Sequence, residues 1–323
     1  MSLTGFLGGA VWGLAAGVAV AVATVLGVWG ERKVSARIQR RYGPQEAGPF
    51  GLLQLPYDFV KLLTKEDVLP RQASPGVFRM APLLVTTPIL MSLVVVPLAM
   101  TSGNEGWAPV DSSVGMLFFL AVPSIAVLGV LLGGWSSRNT YATLGGLRAA
   151  AQMISYELPR SLAVLSIVLL AGSLRPLAVL SEWRVWWLPL TFIGFVVFFI
   201  ASLAELNRGP FDLPEAESEL VAGYFADYSG MRWALFMMAE YGGALATSLF
   251  AAVVFFGGGW PLTGAAGVAV LIVKAVVLTV AMMWVKWTFP RMRPDQLMTT
   301  AWKVLTPLAL VQLLIVGVVI PWL

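Results

Sequence analysis

The apolar residues of this chain fall into blocks of about 20, the length at which an α-helix crosses the hydrocarbon core of a bilayer. Hydrocarbon offers no partner to a backbone N–H or C=O, so each block must pair its own polar groups as a helix. Of the 323 residues, 58% are hydrophobic and 12% charged. A soluble domain carries roughly 25% charged residues, and that difference argues against a water-soluble fold. Eight spans are read: Phe6–Val28, Met80–Met100, Val114–Gly134, Ala149–Leu174, Leu188–Leu206, Ala234–Phe256, Ala265–Val285 and Val304–Leu323. The class expected is all-α, a multi-pass membrane protein with residues 1–323 as one membrane domain. Met1–Leu3 carry no basic residue, and Phe6–Val28 is too long for the apolar core of a signal peptide, so the first span is read as a retained helix.

Lysine and arginine are distributed unevenly among the loops. Segment 31–79 holds nine, Trp135–Arg160 three, 207–233 two and 286–303 four, eighteen in all. Segment 175–187 holds two, and 101–113 and 257–264 hold none. Basic residues accumulate on the cytoplasmic side of membrane proteins. Both termini are therefore expected on the outer face, with 31–79 and 207–233 in the cytoplasm. The same bias accounts for the net charge of +4, so no nucleic-acid partner is expected. Trp107, Trp183, Trp186, Trp187 and Trp260 fall near outer span ends, as an interfacial belt requires.

The first cytoplasmic loop has turn signals at Gly43-Pro44 and Gly48-Pro49. Pro56 suits the first turn of a helix. Phe59, Leu62 and Leu63 then share a face with Asp58, Lys61 and Lys65 largely off it, which reads as an amphipathic helix at the membrane interface or against a partner. The loop 207–233 is acidic. Between Glu205 and Arg232 there are six carboxylates and two arginines. Asp212, Pro214 and Glu215 have the pattern of a helix start. Glu215 and Glu219, four apart, then share a face and repel. The 31–79 segment is net +4 and 205–232 net −4, so the two loops are expected to complement each other.

The fourth span must borrow Ala149–Ser161 to reach full length. That puts Glu157 roughly 12 Å deep at 1.5 Å per residue, and Glu240 roughly 9 Å deep in the sixth span. Arg160 follows Glu157, and Lys274 lies near the middle of the seventh span. An ionisable residue in hydrocarbon faces the bundle or water. These four are read as a polar path, with the two bases as counter-ions. The chain has no Cys and no His. It can hold no thiolate cluster and no His-ligated haem, and no metal site is expected. Electron carriers, if any, sit on other chains.

Three motifs carry a resemblance: Glu31-Arg32-Lys33 with Arg41-Tyr42-Gly43-Pro44 and Lys61-Leu62-Leu63-Thr64-Lys65-Glu66-Asp67; the acidic segment Ala204–Gly230; and Pro290-Arg291-Met292-Arg293-Pro294-Asp295-Gln296-Leu297-Met298. Along its whole length the chain resembles the membrane subunit of the quinone module, designated H, of the proton-pumping NADH–quinone oxidoreductase, respiratory complex I. The resemblance implies eight membrane helices and the lipid-side part of the quinone cavity, with quinone as substrate and no covalent cofactor. It implies partners: soluble iron–sulfur and quinone-site subunits, antiporter-like and small membrane subunits, and the lipid of the cell membrane. Carried over by motif, the coupling acids are Glu157, Glu205, Asp212, Glu215, Glu217, Glu219 and Asp227. Glu240 and Lys274 join them from the reading of the spans. Glu31, Arg32, Arg41, Phe59, Leu62, Arg208 and Arg293 are the residues expected to border quinone. Asp227 stands where Glu is usual, Leu206 where Thr is common, Pro294 where an aromatic is common, and Lys286 where Arg is usual.

Three other readings compete, of which a passive membrane anchor for a soluble enzyme would leave turnover and pumping unchanged when the acids are neutralised. A homologous subunit of a membrane-bound hydrogenase or ferredoxin-driven complex would have no quinone, and neighbouring genes separate it from the first. A stand-alone transporter would carry a substrate site at broken helices between repeats. For the topology, a single cysteine introduced as Glu46→Cys is expected to react only when reagent reaches the cytoplasmic side. Labelling from the outside alone would invert the arrangement.

Overall fold

The computed structural model describes residues 3–100, 106–214 and 217–322. Among them run α1 (Leu3–Ile38), α2 (Gln54–Thr64), α3 (Pro75–Ser92), α4 (Gly115–Ser136), α5 (Thr140–Ala171) and α6 (Pro176–Glu182). There follow α7 (Trp187–Glu205), α8 (Glu217–Leu220), α9 (Gly230–Val254), α10 (Gly264–Thr288), α11 (Pro294–Thr299) and α12 (Thr306–Val319). The extended pairing among the described residues is one two-residue antiparallel ladder, Ala99–Met100 with Gly106–Trp107. The protein is an all-α, multi-pass membrane protein.

Seven stretches among the described residues are long and apolar enough to cross a membrane: Pro75–Val95, α4, α5, α7, α9, α10 and Pro294–Trp322. The 36-residue α1 covers the first expected span and continues through Ile38. Several helices start earlier than their apolar blocks, two of them by more than two turns. α5 begins at Thr140 and not at Ala149, because Asn139 caps it by accepting from the Tyr141 N–H at 3.1 Å. The last begins at Pro294, a first-turn proline, and passes through a π-helical turn at Thr300–Leu305 before α12. Apolarity marks the part of a helix in lipid, whereas caps mark where it ends.

The helices pack around two cores. One joins α5, α7, α9, α10 and α12 around Tyr156, Phe198, Phe250 and Leu271. The other joins α3, α4, α5 and α9 with Tyr224, Phe225 and Tyr228 of the loop before α9. Phe78 stacks on Tyr228 at 4.0 Å, and Phe119 on Phe250 at 3.8 Å. Trp183 and Trp187 belong to the first core, 6% and 3% exposed, and the indole of Trp183 donates to the Phe255 carbonyl. They are packing residues and not the interfacial belt expected of them, because α6 folds back onto the bundle. Trp186 and Trp260 are exposed, while the side chain of Trp107 lies outside the described ones.

Gly134 brings α4 against α5. A Cβ there would lie 2.4 Å from the Ala142 carbonyl oxygen, a backbone atom that cannot swing away. Gly134→Ala is expected to cost about 1–3 kcal/mol by overpacking. Gly317→Ala, on α12 with nothing within 4 Å, is expected to gain up to about 1 kcal/mol from the lost backbone entropy of glycine. Thermal unfolding of the two purified variants checks the contrast, and equal melting temperatures would refute it.

Candidate functional site

One face of α1 repeats at helical spacing as Ala21, Thr24, Val25, Val28, Glu31, Arg32 and Ser35. Together with α2 and α9 it encloses a cavity of about 470 Å³. From α2 come Leu55, Asp58, Phe59, Lys61 and Leu62; from α9 come Met231, Ala234, Met238 and Tyr241; Trp287 of α10 closes one side. The wall is largely apolar. The rim is ionic: Arg32 donates to Asp58 at 2.8 Å, Lys61 stands 3.8 Å from the same carboxylate, and Arg41 lies beside them. The volume falls in the range of small-molecule sites, about 300–1,000 Å³. Five residues expected to border quinone, Glu31, Arg32, Arg41, Phe59 and Leu62, line this one space. Leu63 does not share their face and is exposed. Asp58 does share it, drawn in by Arg32.

Behind the cavity lies a buried group of charges. The end of α7 turns sharply at Asn207, whose φ of 52° is tolerated by a short amide side chain. The Arg208 N–H reaches back to Leu203 O at 3.0 Å. Gln152 of α5 donates to Ala204 O and Phe211 O, at 2.6 and 2.8 Å, and so holds both sides of the turn. Arg208 is thereby driven into the bundle and has no solvent exposure. Its guanidinium lies 3.0 Å from Glu240, 3.6 Å from Glu31 and 4.5 Å over the Tyr241 ring. Lys286 of α10 stands 2.7 Å from Glu31 and 3.7 Å from Glu240. Among the described residues, two acids and two bases thus face one another. A buried charge without such pairing costs several kcal/mol.

Glu240 and Tyr241 are consecutive on α9, so they point about 100° apart. Tyr241 faces the large cavity. Glu240 faces a second, smaller chamber of about 60 Å³, lined also by Arg160, Glu205, Asn207 and Thr247. A water needs about 10–15 Å³ on this measure, so the chamber has room for a few. Arg160, 1% exposed, pairs there with Glu205 at the end of α7. Arg160 thus has its close pair in Glu205, while Glu157 remains near enough to act on it electrostatically, so the expected link to Glu157 holds at longer range and the one to Glu240 is not among the described contacts. Glu157 itself accepts from Ser124 of α4 at 2.5 Å.

Among the described residues, the acids of this loop do not form one cluster. Asp212 meets Arg291 at 3.1 Å, Glu219 meets Arg148 at 2.8 Å, and Asp227 accepts from Asn139 at 3.1 Å. Each partner is on a different element. The helix expected to start at Asp212 is the short α8, Glu217–Leu220, and Asp212 is a pairing residue instead of its cap. Glu215 lies outside the described residues, as does the side chain of Glu217. Burial pushes the Asp212 carboxyl up, Arg291 and Lys286 pull it down, and Glu240 adds to the rise; the balance is above the usual carboxylate range. Among the described residues, two ion pairs join the basic loop to the acidic one, Arg208–Glu31 and Arg232–Asp67. Both take the base from the acidic loop, so the complement is local and reversed in sign.

Arg293 is exposed at the start of α11 and lines neither cavity. Lys274 is a correction. Its described partners are three loop carbonyls and no carboxylate, so it is no counter-ion to Glu157 or Glu240. Lys286, Tyr241, Asp58 and Gln152 join the site without having been expected in it. The signal for Tyr241 is its place beside Glu240.

With this geometry in view, known proteins settle the family. The NADH dehydrogenase family profile matches residues 11–317. The chain belongs to this family. Among its relatives is the NADH-quinone oxidoreductase subunit designated H in Geobacillus kaustophilus (strain HTA426), 44% identical over 301 residues, 92% of this chain and 89% of that one. The protein of the same name from Brevibacillus brevis is 44% identical over 325 residues, 98% and 95% of the two chains. That from Bacillus cereus (strain B4264) is 46% identical over 301 residues, 91% and 88%. The NADH dehydrogenase family assignment therefore covers both cavities and the charge group between them.

The site makes a prediction of its own. Among the described residues, Arg208→Met leaves Glu31 and Glu240 facing Lys286 in a buried space, and it is expected to cost about 3–5 kcal/mol. Adding Glu240→Gln restores the balance, and the double variant should be more stable than Arg208→Met alone. Thermal denaturation of the purified protein measures both; additive losses would mean that the pair is not coupled.

Proposed function

We propose that this chain is the quinone-module membrane subunit of a proton-translocating NADH–quinone oxidoreductase in the cell membrane, spanning it eight times with α1 as the first span and both termini outside. The observation that carries this reading is the large cavity between α1, α2 and α9. Its apolar wall suits an isoprenoid tail and its ionic rim a polar headgroup. With no Cys or His on the chain, the electrons reach quinone from other subunits. Soluble iron–sulfur and quinone-site subunits are placed on the basic-rich face, where Tyr42, Phe50 and Tyr57 are exposed at 86%, 77% and 62%. Antiporter-like and small membrane subunits complete the assembly.

Coupling is electrostatic on this reading. Reduction of quinone briefly adds negative charge to the cavity and then consumes protons. A unit charge about 10 Å away at an effective dielectric of about 20 is worth ~1.7 kcal/mol, a little over one pKa unit. Glu31 and Glu240 feel it first. Glu205 follows through the small chamber, then Glu157. Asp212, Glu215, Glu217, Glu219 and Asp227 supply protonatable groups at the loop face, and Arg293 contributes positive charge nearby.

Two measurements test this. Phe59→Asp or Leu62→Asp should raise KM for long-tailed quinones and spare electron transfer to artificial acceptors. Equal loss of both activities would mean misassembly and not a binding site. Glu157→Gln and Glu215→Gln should slow quinone reduction and proton uptake together in assembled complexes, while Asp227→Glu is tolerated. Normal rates in both glutamine variants would sink the coupling reading.

A further inference from the structure

Lys274 is the ionisable group that this mechanism leaves unused. It lies ten residues into α10, about 15 Å along the axis, in a helix that is otherwise apolar up to Lys286. A helical side chain leans toward its own N-terminus, which aims Lys274 back at the turn joining α9 to α10. There its ammonium donates to the carbonyls of Phe256, Gly258 and Trp260 at 2.8, 2.8 and 2.9 Å.

The carbonyls alternate in their partners along this turn. The intervening ones are already taken: Phe255 O by the Trp183 indole at 3.2 Å, Gly257 O by the Trp260 N–H at 2.9 Å, and Gly259 O by the Leu262 N–H at 3.0 Å. Two left-handed residues, Gly257 (φ 66°) and Gly258 (φ 55°), turn the backbone so that alternate carbonyls converge on one point. Residues 257–259 are buried. A buried irregular segment must find partners for its carbonyls. Converging backbone carbonyls coordinate monovalent cations in proteins, and an ammonium with three hydrogens satisfies all three of these.

We propose that the α9–α10 turn is a monovalent-cation site built from the carbonyls of Phe256, Gly258 and Trp260 and occupied by the chain's own Lys274 ammonium. The tethered cation bolts the two helices together at the end opposite Glu240 and Lys286, and moves no protons. Shortening the side chain empties the site without removing its oxygens. An ammonium or potassium ion from solution then takes the place of the side chain, reaching it past the half-exposed Trp260.

The test compares Lys274→Ala with Lys274→Met in membranes extracted with mild detergent, by thermal stability in ammonium, potassium and choline chloride at equal ionic strength. Lys274→Ala should melt several degrees below wild type in choline and recover in ammonium and, in part, in potassium. Lys274→Met fills the space with an apolar chain and should melt low in all three salts. Salt-independent melting of Lys274→Ala, or equal recovery of both variants, would overturn the cation site. Loss of proton uptake in Lys274→Ala with unchanged melting would overturn it in favour of a proton relay. If Lys274→Ala does not assemble, Lys274→Gln decides: its amide donates two hydrogens, so it must assemble while Lys274→Met does not, and the same fate for both refutes the proposal. Melting does not depend on quinone chemistry, so the outcome stands apart from the function proposed above.

Discussion

The balance of Arg208 and Lys286 against Glu31 and Glu240 is the constraint that the rest of the structure serves. Four charges out of water are tolerated only when each faces its opposite at close range. Meeting that condition fixes α1, α9, α10 and the turn after α7 relative to one another, since each contributes one member. A shift of any one element by a helical turn would strand a charge. The large cavity is then a consequence. It is the space left where α1 and α9 are held together at the charges and α2 bridges them across the Arg32–Asp58 pair.

The rest of the site depends on backbone turns that deliver side chains to this group. Asn207 in a left-handed conformation sends Arg208 inward, and Gln152 clamps that turn from α5. At the N-terminus of α9, Ser229 accepts from the Val68 N–H at 3.2 Å and donates to Glu66 O at 3.1 Å, which anchors the segment after α2. The helix that lines the cavity is therefore tied at its C-terminal side to the same α9 that carries Glu240 and Tyr241. A displacement of α2 would be felt at the charges.

The fold class and the cavity-lining residues are legible in the sequence because they rest on period and composition. Apolar blocks give spans, and Phe59 and Leu62 sit at helical spacing whatever lies around them, although Leu63, read onto the same face, does not join them. Pairings are less legible. Glu240 stands out as an ionisable residue within a span, and Glu31 and Arg208 through the family resemblance. Lys286 does not, because a lysine at a helix end reads as one more basic residue of the loop. Sequence proximity favours Glu157 as the partner of Arg160, while the turn of α7 brings Glu205. Asp212, Glu219 and Asp227 group together by closeness in sequence, yet the left-handed residues Asn207 and Val221 redirect the chain and send each acid to its own partner. Lys274 is misread for a related reason. No pattern in the sequence shows that a glycine turn folds back to present its carbonyls.

The two cavities stand back to back, with Tyr241 and Glu31 on one and Glu240 on the other. Arg208, between them, has no solvent exposure. On the function proposed above, what passes between the two chambers is field, or a proton handed between carboxylates that share the same bases. Lys286 is nearer Glu31 than Glu240, by 2.7 against 3.7 Å, so the two acids do not hold it equally. Neutralising Glu31 by protonation would leave Glu240 as the stronger attraction for both bases. That redistribution of charge changes the field at Arg160 and Glu205 across the small chamber. Charge balance that holds the fold together is thus also what would make one chamber respond to the other.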